Sequence, residues 1–171
     1  MMNNEKELIK CTSQILLLAE EVYKELGSGF KEDTLQQALA ISFRKAGIKY
    51  LRETHLEIFY KKESLGLFRL DFLIPAQKNK KWQLKTPIII ETKASSKLNN
   101  DAHLQLKNYL ISLPKNSSEE LKNITEGILL NWKNNLDPEA TGKDLKGTEI
   151  ELWSYKSNKF KLIHTNQAKE E

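Results

Sequence analysis

Apolar side chains spaced three and four residues apart predict two helices at the start of the chain. Residues 4–26 carry this pattern, and Gly27 is suited to end the helix. Residues 32–46 repeat it, with Gly47 directly after them. A third helix is predicted over residues 99–113. The order of these helices places two before the strands and one among them.

Alternation of apolar and polar residues predicts strands between the helices. Residues 49–60 alternate roughly, and residues 65–74 alternate more clearly, with Arg69 and Asp71 on one face. Further strands are predicted at 87–94, 126–132, 149–155 and 159–164. Because a strand, a helix and a strand follow one another over 88–132, we expect a crossover unit. The sequence therefore predicts an α/β fold in one domain, residues 1–171, with a mixed central sheet flanked by helices.

The connecting segments differ in character. Residues 75–86, PAQKNKKWQLKT, are predicted to form a lysine-rich hairpin, which we call the basic hairpin. Its Trp82 is either an anchor for the hairpin, which we favour, or a platform for base stacking. Residues 133–148 are predicted to be a loop, and residues 168–171 a frayed tail.

Composition narrows the class of protein. The chain has 171 residues, of which 39% are hydrophobic and 29% charged, as in ordinary globular domains. No apolar run has the ~20 residues of a membrane helix, and no secretory signal is visible at the start. The single cysteine, Cys11, excludes an internal disulfide and a cysteine-based zinc site. We therefore expect a cytoplasmic protein with no membrane partner.

The charge balance permits nucleic-acid binding without requiring it. The formal net charge is +4 and the pI about 9.0. The only arginines are Arg44, Arg52 and Arg69, so most of the positive charge is lysine. Because arginine suits bidentate contact with bases better than lysine does, a nucleic-acid ligand is expected to be bound with weak sequence preference.

The strand IIIETKA, residues 88–94, ends in two candidate catalytic residues, Glu91 and Lys93. Glu91 and Lys93 point to the same face of the strand, and Asp71 converges on Glu91 if the two strands pair as a hairpin. Two neighbouring carboxylates repel each other, and a divalent cation between them removes that cost. Oxygen ligands suit Mg²⁺ or Mn²⁺, and Lys93 is placed to reach a phosphate or an attacking water.

This pattern, Asp71 followed by Glu91-x-Lys93, resembles the PD-(D/E)XK nuclease superfamily. Several other segments resemble its GxxExxY protein family, in the same order along residues 8–132. They are Gly29 and Glu32 in GSGFKEDTL, Gln105 and Tyr109 in QLKNY, and GILLNW at 127–132. Two positions depart from the pattern: Leu35 replaces the signature tyrosine, and Leu70 replaces the proline before Asp71.

The resemblance implies a restriction-endonuclease-like core and a set of roles. It implies a metal held by Asp71, Glu91 and the Thr92 carbonyl, with Glu32 as a further acidic ligand. Lys93 would be the catalytic lysine. Gln105 and Tyr109 would orient the site or the substrate. We also expect contacts to nucleic acid from five side chains: Arg69, Lys78, Lys80, Lys81 and Lys85.

Ordinary structural interpretations exist for each residue. Glu91 and Lys93 could be a solvent-facing pair at the end of a strand, and Glu32 a favourable charge in the first turn of a helix. Gln105 and Tyr109 could be surface and core neighbours four residues apart. Arg69 could pair with Asp71 instead of a phosphate.

Two functions follow from these residues. The first is a Mg²⁺- or Mn²⁺-dependent nuclease that hydrolyses phosphodiester bonds, in DNA more than in RNA. The second is a catalytically inactive nuclease-fold module for nucleic-acid binding or assembly. The intact acidic set favours the first, and a homodimer or a protein partner is compatible with either.

Overall fold

The computed structural model describes residues 1–134, 139 and 147–168. Most of the loop predicted over 133–148, and the last residues of the tail predicted at 168–171, lie outside the described residues. Among the described residues, no helix is long and apolar enough to cross a membrane.

The three predicted helices are confirmed with small shifts at their ends. They are α1 (Glu5–Leu26), α2 (Glu32–Lys45) and α3 (Asn100–Ser112), followed by a 3₁₀ turn (Leu113–Lys115) and the short α4 (Glu119–Lys122). Asn4 and Asn99 cap α1 and α3, because their side chains accept hydrogen bonds from first-turn N–H groups. Between α1 and α2, Gly29 has a φ of +101°, which favours glycine at this turn.

Within the described residues, ten strands form one main sheet and two small ones. Their bounds are β1 (Leu51–Arg52), β2 (His55–Tyr60), β3 (Glu63–Arg69), β4 (Phe72–Ile74), β5 (Gln77–Lys78), β6 (Gln83–Leu84), β7 (Ile88–Lys93), β8 (Glu126–Trp132), β9 (Thr148–Lys156) and β10 (Lys159–Thr165). The six-stranded main sheet has the order β1-β4-β7-β8-β9-β10, while β2-β3 and β5-β6 are separate hairpins. Strands β7 and β8 are parallel and joined through α3. The mixed sheet and its crossover are thus confirmed.

The main sheet is buried on both faces, which explains the three consecutive isoleucines. Ile88 and Ile90 lie in the core cluster that contains residues of α1 and α2. Ile89 lies in the second cluster, with residues of α3. On this face, the lack of a side chain at Gly127 lets α3 pack close to the sheet, since a Cβ there would lie 2.6 Å from Leu106 Cδ1. The sheet therefore holds α2 on one face and α3 on the other.

The prediction of two unbroken strands over 49–60 and 65–74 was wrong. Both break at the same level: Glu53 has a φ of +57°, and opposite it the ladder lapses at Leu70 and Asp71. The two halves stay linked, because Leu70 N–H donates to the Thr54 carbonyl at 2.8 Å. Beyond the break, β2 and β3 leave the main sheet as a projecting hairpin, which we call the outer hairpin.

The basic hairpin forms as predicted and rests on α1. Trp82 is 2% exposed and its Nε1 donates to Gln14 Oε1 at 2.7 Å, so it anchors the hairpin and offers no face for stacking. The hairpin follows β4 at Ile74, which pairs with Ile88 at the start of β7. It therefore lies at the opposite end of β4 and β7 from Asp71 and Glu91.

Candidate active site

Asp71 completes the edge of β7 where the backbone ladder stops. The last β4-β7 pair is Phe72 with Ile90, so β7 has no strand partner on that side beyond Ile90. Asp71 supplies the missing contacts: its N–H donates to Glu91 Oε1 at 3.1 Å, and its Oδ2 accepts from the Thr92 N–H at 2.8 Å. The two carboxylates that sequence reasoning paired are thus brought together.

Glu32 reaches the same place from the other face of the sheet, through the side chain of Thr92. The Thr92 hydroxyl lies 3.2 Å from Glu32 Oε1 and 3.1 Å from Asp71 Oδ2. Since a hydroxyl carries one proton, it donates to one of these carboxylates at a time. We call Glu32, Asp71 and Glu91 the acidic cluster.

Two side chains that sequence reasoning missed hold this arrangement. Gln36 Nε2 donates to Thr92 Oγ1 at 2.7 Å and lies 3.1 Å from Glu32 Oε1. Arg52 Nη2 in turn donates to Gln36 Oε1 at 2.9 Å. Gln36 stands one helical turn after Glu32, so its position beside Glu32 was available from spacing. The contribution of Arg52 depends on the strand break and had no signal in the sequence.

On the α3 side, Lys93, Gln105 and Tyr109 form a chain of hydrogen bonds. Lys93 Nζ donates to Gln105 Oε1 at 2.9 Å, and Gln105 Nε2 donates to the Tyr109 hydroxyl at 3.3 Å. A cavity of ≈ 280 Å³ opens beside Lys93 and Gln105. These three residues, predicted to act together, are therefore adjacent, with open space next to the ammonium group.

The acidic cluster is electrostatically unfavourable as it stands. Burial, followed by the charge of Asp71, raises the pKa of Glu91 well above its usual value, and Glu91 is 3% exposed. Burial and the charge of Asp71 also raise the pKa of Glu32, and burial raises the pKa of Asp71. Lys93 opposes each of these shifts but does not outweigh them. The surroundings of the cluster therefore disfavour ionisation of all three carboxyl groups together.

The donor set fits a hard divalent cation with two carboxylate ligands. Hydrogen bonds fall on one oxygen of each carboxylate, which leaves Asp71 Oδ1 and Glu91 Oε2 without one from the described residues. Within the same residues, no three His, Cys, Asp or Glu side chains are arranged to hold a metal ion. Mg²⁺ commonly takes one or two carboxylates and keeps several waters, so the arrangement suits Mg²⁺ without Glu32 as a ligand.

The five predicted nucleic-acid contacts are not gathered at this site. Arg69 is 65% exposed and its Nη1 lies 3.5 Å from Glu53 Oε1, so it pairs with Glu53 and not with Asp71. The other four, Lys78, Lys80, Lys81 and Lys85, are exposed on the basic hairpin at the far end of β4 and β7. Any contact they make with nucleic acid therefore lies away from Asp71 and Glu91.

Comparison with known families agrees with this geometry. A model of the PD-(D/E)XK nuclease superfamily matches residues 9–142, a span that includes the acidic cluster, Lys93 and α3. The chain belongs to this superfamily. Its mixed sheet flanked by helices is consistent with the restriction-endonuclease-like fold of these nucleases. No curated protein and no solved structure gave a significant match. Membership of the GxxExxY family stays a prediction.

The raised carboxyl pKa values predict a pH dependence of stability in metal-free buffer. A carboxyl group whose folded-state pKa lies above its unfolded value binds more protons when folded, so the free energy of unfolding falls as pH rises through that interval. As pH rises above the ordinary carboxyl range, we expect the melting temperature in EDTA to fall, and the Glu91→Gln variant to show a flatter profile.

The matched control is Glu53→Gln, which alters a carboxylate that is 57% exposed and lies outside the acidic cluster. It is expected to keep the wild-type slope. Identical slopes for wild type and Glu91→Gln in a thermal-denaturation series would show that the buried carboxylate does not set the pH dependence.

Proposed function

We propose that this member of the superfamily is a Mg²⁺- or Mn²⁺-dependent nuclease that hydrolyses phosphodiester bonds, with DNA as its main substrate. The observation that carries the proposal is the pair of carboxylates beside Lys93, the half-buried Asp71 and the buried Glu91, which accept hydrogen bonds from backbone N–H groups at 2.8 Å and 3.1 Å. A cluster of this kind is costly to fold, and completion of the β7 edge by Asp71 and Glu91 does not require a third carboxylate, Glu32, beside them. This favours turnover over the inactive-module alternative.

The metal ligands in this proposal are Asp71, Glu91 and the Thr92 carbonyl, with water in the remaining positions. When bound, the ion lowers the pKa of a water molecule and offsets charge that develops on the phosphate. Hydrolysis then adds water to phosphorus and breaks one phosphorus–oxygen bond of the chain. The protein supplies the metal ligands, the positive charge of Lys93 and the cavity beside it.

Lys93 is proposed to act on the reacting groups. Its Nζ lies at the cavity beside Gln105, where it can contact a phosphate oxygen or hold the attacking water. Gln105 directs the ammonium group by accepting its hydrogen bond, and Tyr109 holds Gln105 in turn. Gln105 and Tyr109 are therefore positioning residues.

Glu32 is proposed to act through Thr92. Its Oε1 lies on the Thr92 hydroxyl and the Gln36 amide, and a third carboxylate near Asp71 strengthens the attraction for a cation without binding it directly. A direct place for Glu32 among the metal ligands, which the resemblance implies, stays a prediction. A protein partner or a second copy of the chain that supplies substrate preference also stays a prediction.

Loss of any of three side chains is expected to abolish cleavage. Asp71→Ala and Glu91→Ala remove metal ligands, and Lys93→Ala removes the charge at the reacting phosphate. Each is expected to lower kcat at least ~10²-fold in Mg²⁺ or Mn²⁺, on single-stranded, double-stranded and branched substrates. Glu53→Gln, which changes an exposed carboxylate near the strand break, is the control and should keep its activity.

The outcome that opposes the site is retention of cleavage by all three variants. The outcome that opposes the enzyme itself is the absence of cleavage by wild-type protein on every substrate with either metal. Circular dichroism of each variant in EDTA checks that it is folded.

The lysines of the basic hairpin are proposed to contact the phosphate backbone of the nucleic acid at a distance from Asp71 and Glu91. Changing Lys78, Lys80, Lys81 and Lys85 together to glutamine should weaken DNA binding in EDTA and flatten its dependence on salt, because fewer counterions are released. Fluorescence anisotropy over a salt series measures both. If affinity and slope match those of wild type, these lysines do not touch nucleic acid.

A further inference from the structure

The outer hairpin and the 3₁₀ turn after α3 border a positively charged cavity. Its volume is ≈ 370 Å³, and its lining is one aromatic side chain and three lysines: Phe59, Lys61, Lys62 and Lys115. Volumes of this size are typical of ligand pockets, roughly 300–1,000 Å³. The three lysines make no ion pair with any described residue, and no carboxylate is among the lining residues. We call this the lysine cavity.

The two walls of the cavity are fixed to each other. Asn116, which is 7% exposed, accepts a hydrogen bond from Glu57 N–H at 2.8 Å and donates to the Glu57 carbonyl at 3.1 Å. This pair of hydrogen bonds joins the segment that carries Lys115 to the strand that carries Phe59. Leu56, which is fully buried, seals the same strand against the α3 side of the core. The cavity is therefore part of the fold and not a chance gap between mobile loops.

The turn that bears two of the lysines has an unfavourable sequence for its conformation. Lys61 and Lys62 join paired Tyr60 and Glu63, and both have positive φ, of 47° and 67°. A two-residue turn with both φ positive favours Asn-Gly, because lysine in this region costs roughly 1–2 kcal/mol per residue. The other turn of this kind in the described chain, Ser157-Asn158, includes an asparagine. The lysine pair thus opposes local stability, which points to a use for its charge.

An internal role accounts for little of that charge. Lys61 Nζ lies 5.4 Å from the centre of the Tyr60 ring, a cation–π contact at an exposed position worth about 0.5–1 kcal/mol. Lys62 has no such contact among the described residues. The remaining positive potential faces the cavity and the solvent.

We propose that the lysine cavity binds a single strand of the nucleic-acid substrate, with its phosphates on the lysines and a base against Phe59. A positive groove that contains an aromatic side chain is the arrangement that proteins use for unpaired nucleic acid. The inference rests on the proposed nuclease function and names a substrate contact away from the metal site. Lys115 is ten residues beyond Gln105 along α3 and the turn after it, about 15 Å at helical rise. At the ~3.4 Å spacing of one strand in a stacked duplex, that distance corresponds to roughly four nucleotides, and an extended single strand spans it with fewer.

The strongest test is a double substitution whose effects on stability and on binding have opposite signs. Lys61→Asn with Lys62→Gly installs the favoured turn and removes two charges. It should leave the melting temperature unchanged or higher, and weaken binding of a fluorescein-labelled single-stranded oligodeoxynucleotide in EDTA about tenfold. The slope of log affinity against log salt should fall by about 1.4, since each phosphate contact on a single strand contributes about 0.7.

Two further variants distinguish binding at the lysine cavity from a general effect of the protein's net charge. Lys159→Asn with Lys161→Asn removes the same charge from the opposite edge strand, β10, and should change affinity and slope much less. Phe59→Leu keeps an apolar side chain but removes the ring, and should weaken the oligodeoxynucleotide roughly tenfold while leaving the salt slope unchanged.

The outcomes distinguish this inference from the proposed function. If wild type binds and cleaves but the two turn lysines can be changed without loss of affinity, the lysine cavity is not a substrate contact and the nuclease proposal stands. If the β10 control loses as much affinity as the variant of the two turn lysines, the affinity depends on net charge alone and the inference fails. If Phe59→Leu binds like wild type, or polyglutamate displaces the strand as well as unlabelled oligodeoxynucleotide, the cavity does not hold a base. If wild type binds no nucleic acid, both proposals fail.

Discussion

The site depends on one constraint: beyond Ile90, the edge of β7 that faces β4 has no strand partner. A strand edge without a partner leaves N–H groups that need acceptors. Asp71 meets that need with its carboxylate, and its own N–H is met by Glu91. One structural requirement, completion of a ladder, therefore brings two acids together. The negative charge that collects there is the property that a cation can use.

The fold controls this edge through a single break in a long pair of strands. If residues 65–74 continued as one strand, Asp71 would pair by its backbone and its side chain would lie in the pleat. The positive φ of Glu53 and the lapse at Asp71 end that pairing. The same break directs the outer hairpin away from the sheet, toward the end of α3, where Asn116 holds it. The contacts of Asp71 at the β7 edge and the position of the lysine cavity thus both depend on the same break.

The sequence predicted the elements better than their breaks. The triple isoleucine, the amphipathic helices and the crossover follow from periodicity, because both faces of the sheet and one face of each helix must be buried. The break at Glu53 has no glycine or proline to mark it, so periodicity could not locate it. The sequence also did not indicate where the basic hairpin lies relative to Asp71. Its lysines are adjacent in sequence to Asp71, but antiparallel pairing of β4 and β7 puts them at the opposite end.

The candidate site was predicted to a similar extent. Motif spacing indicated Asp71, Glu91 and Lys93, and the structure places all three together. The hydroxyl of Thr92 was missed, because alternation sends it to the other face and only the tertiary position of α2 shows that Glu32 and Gln36 meet it there. Long-range polar contacts of this kind depend on how layers pack, which periodicity does not specify.

The central claim is that Asp71 and Glu91 hold a divalent cation, and calorimetric titration with Mn²⁺ tests it most directly. The account predicts saturable binding to wild-type protein at neutral pH, with loss of binding in Asp71→Asn and Glu91→Gln. It predicts weaker but measurable binding in Glu32→Gln, whose carboxylate acts through Thr92. Absence of Mn²⁺ binding by wild type, or equal binding by Glu91→Gln, would contradict it.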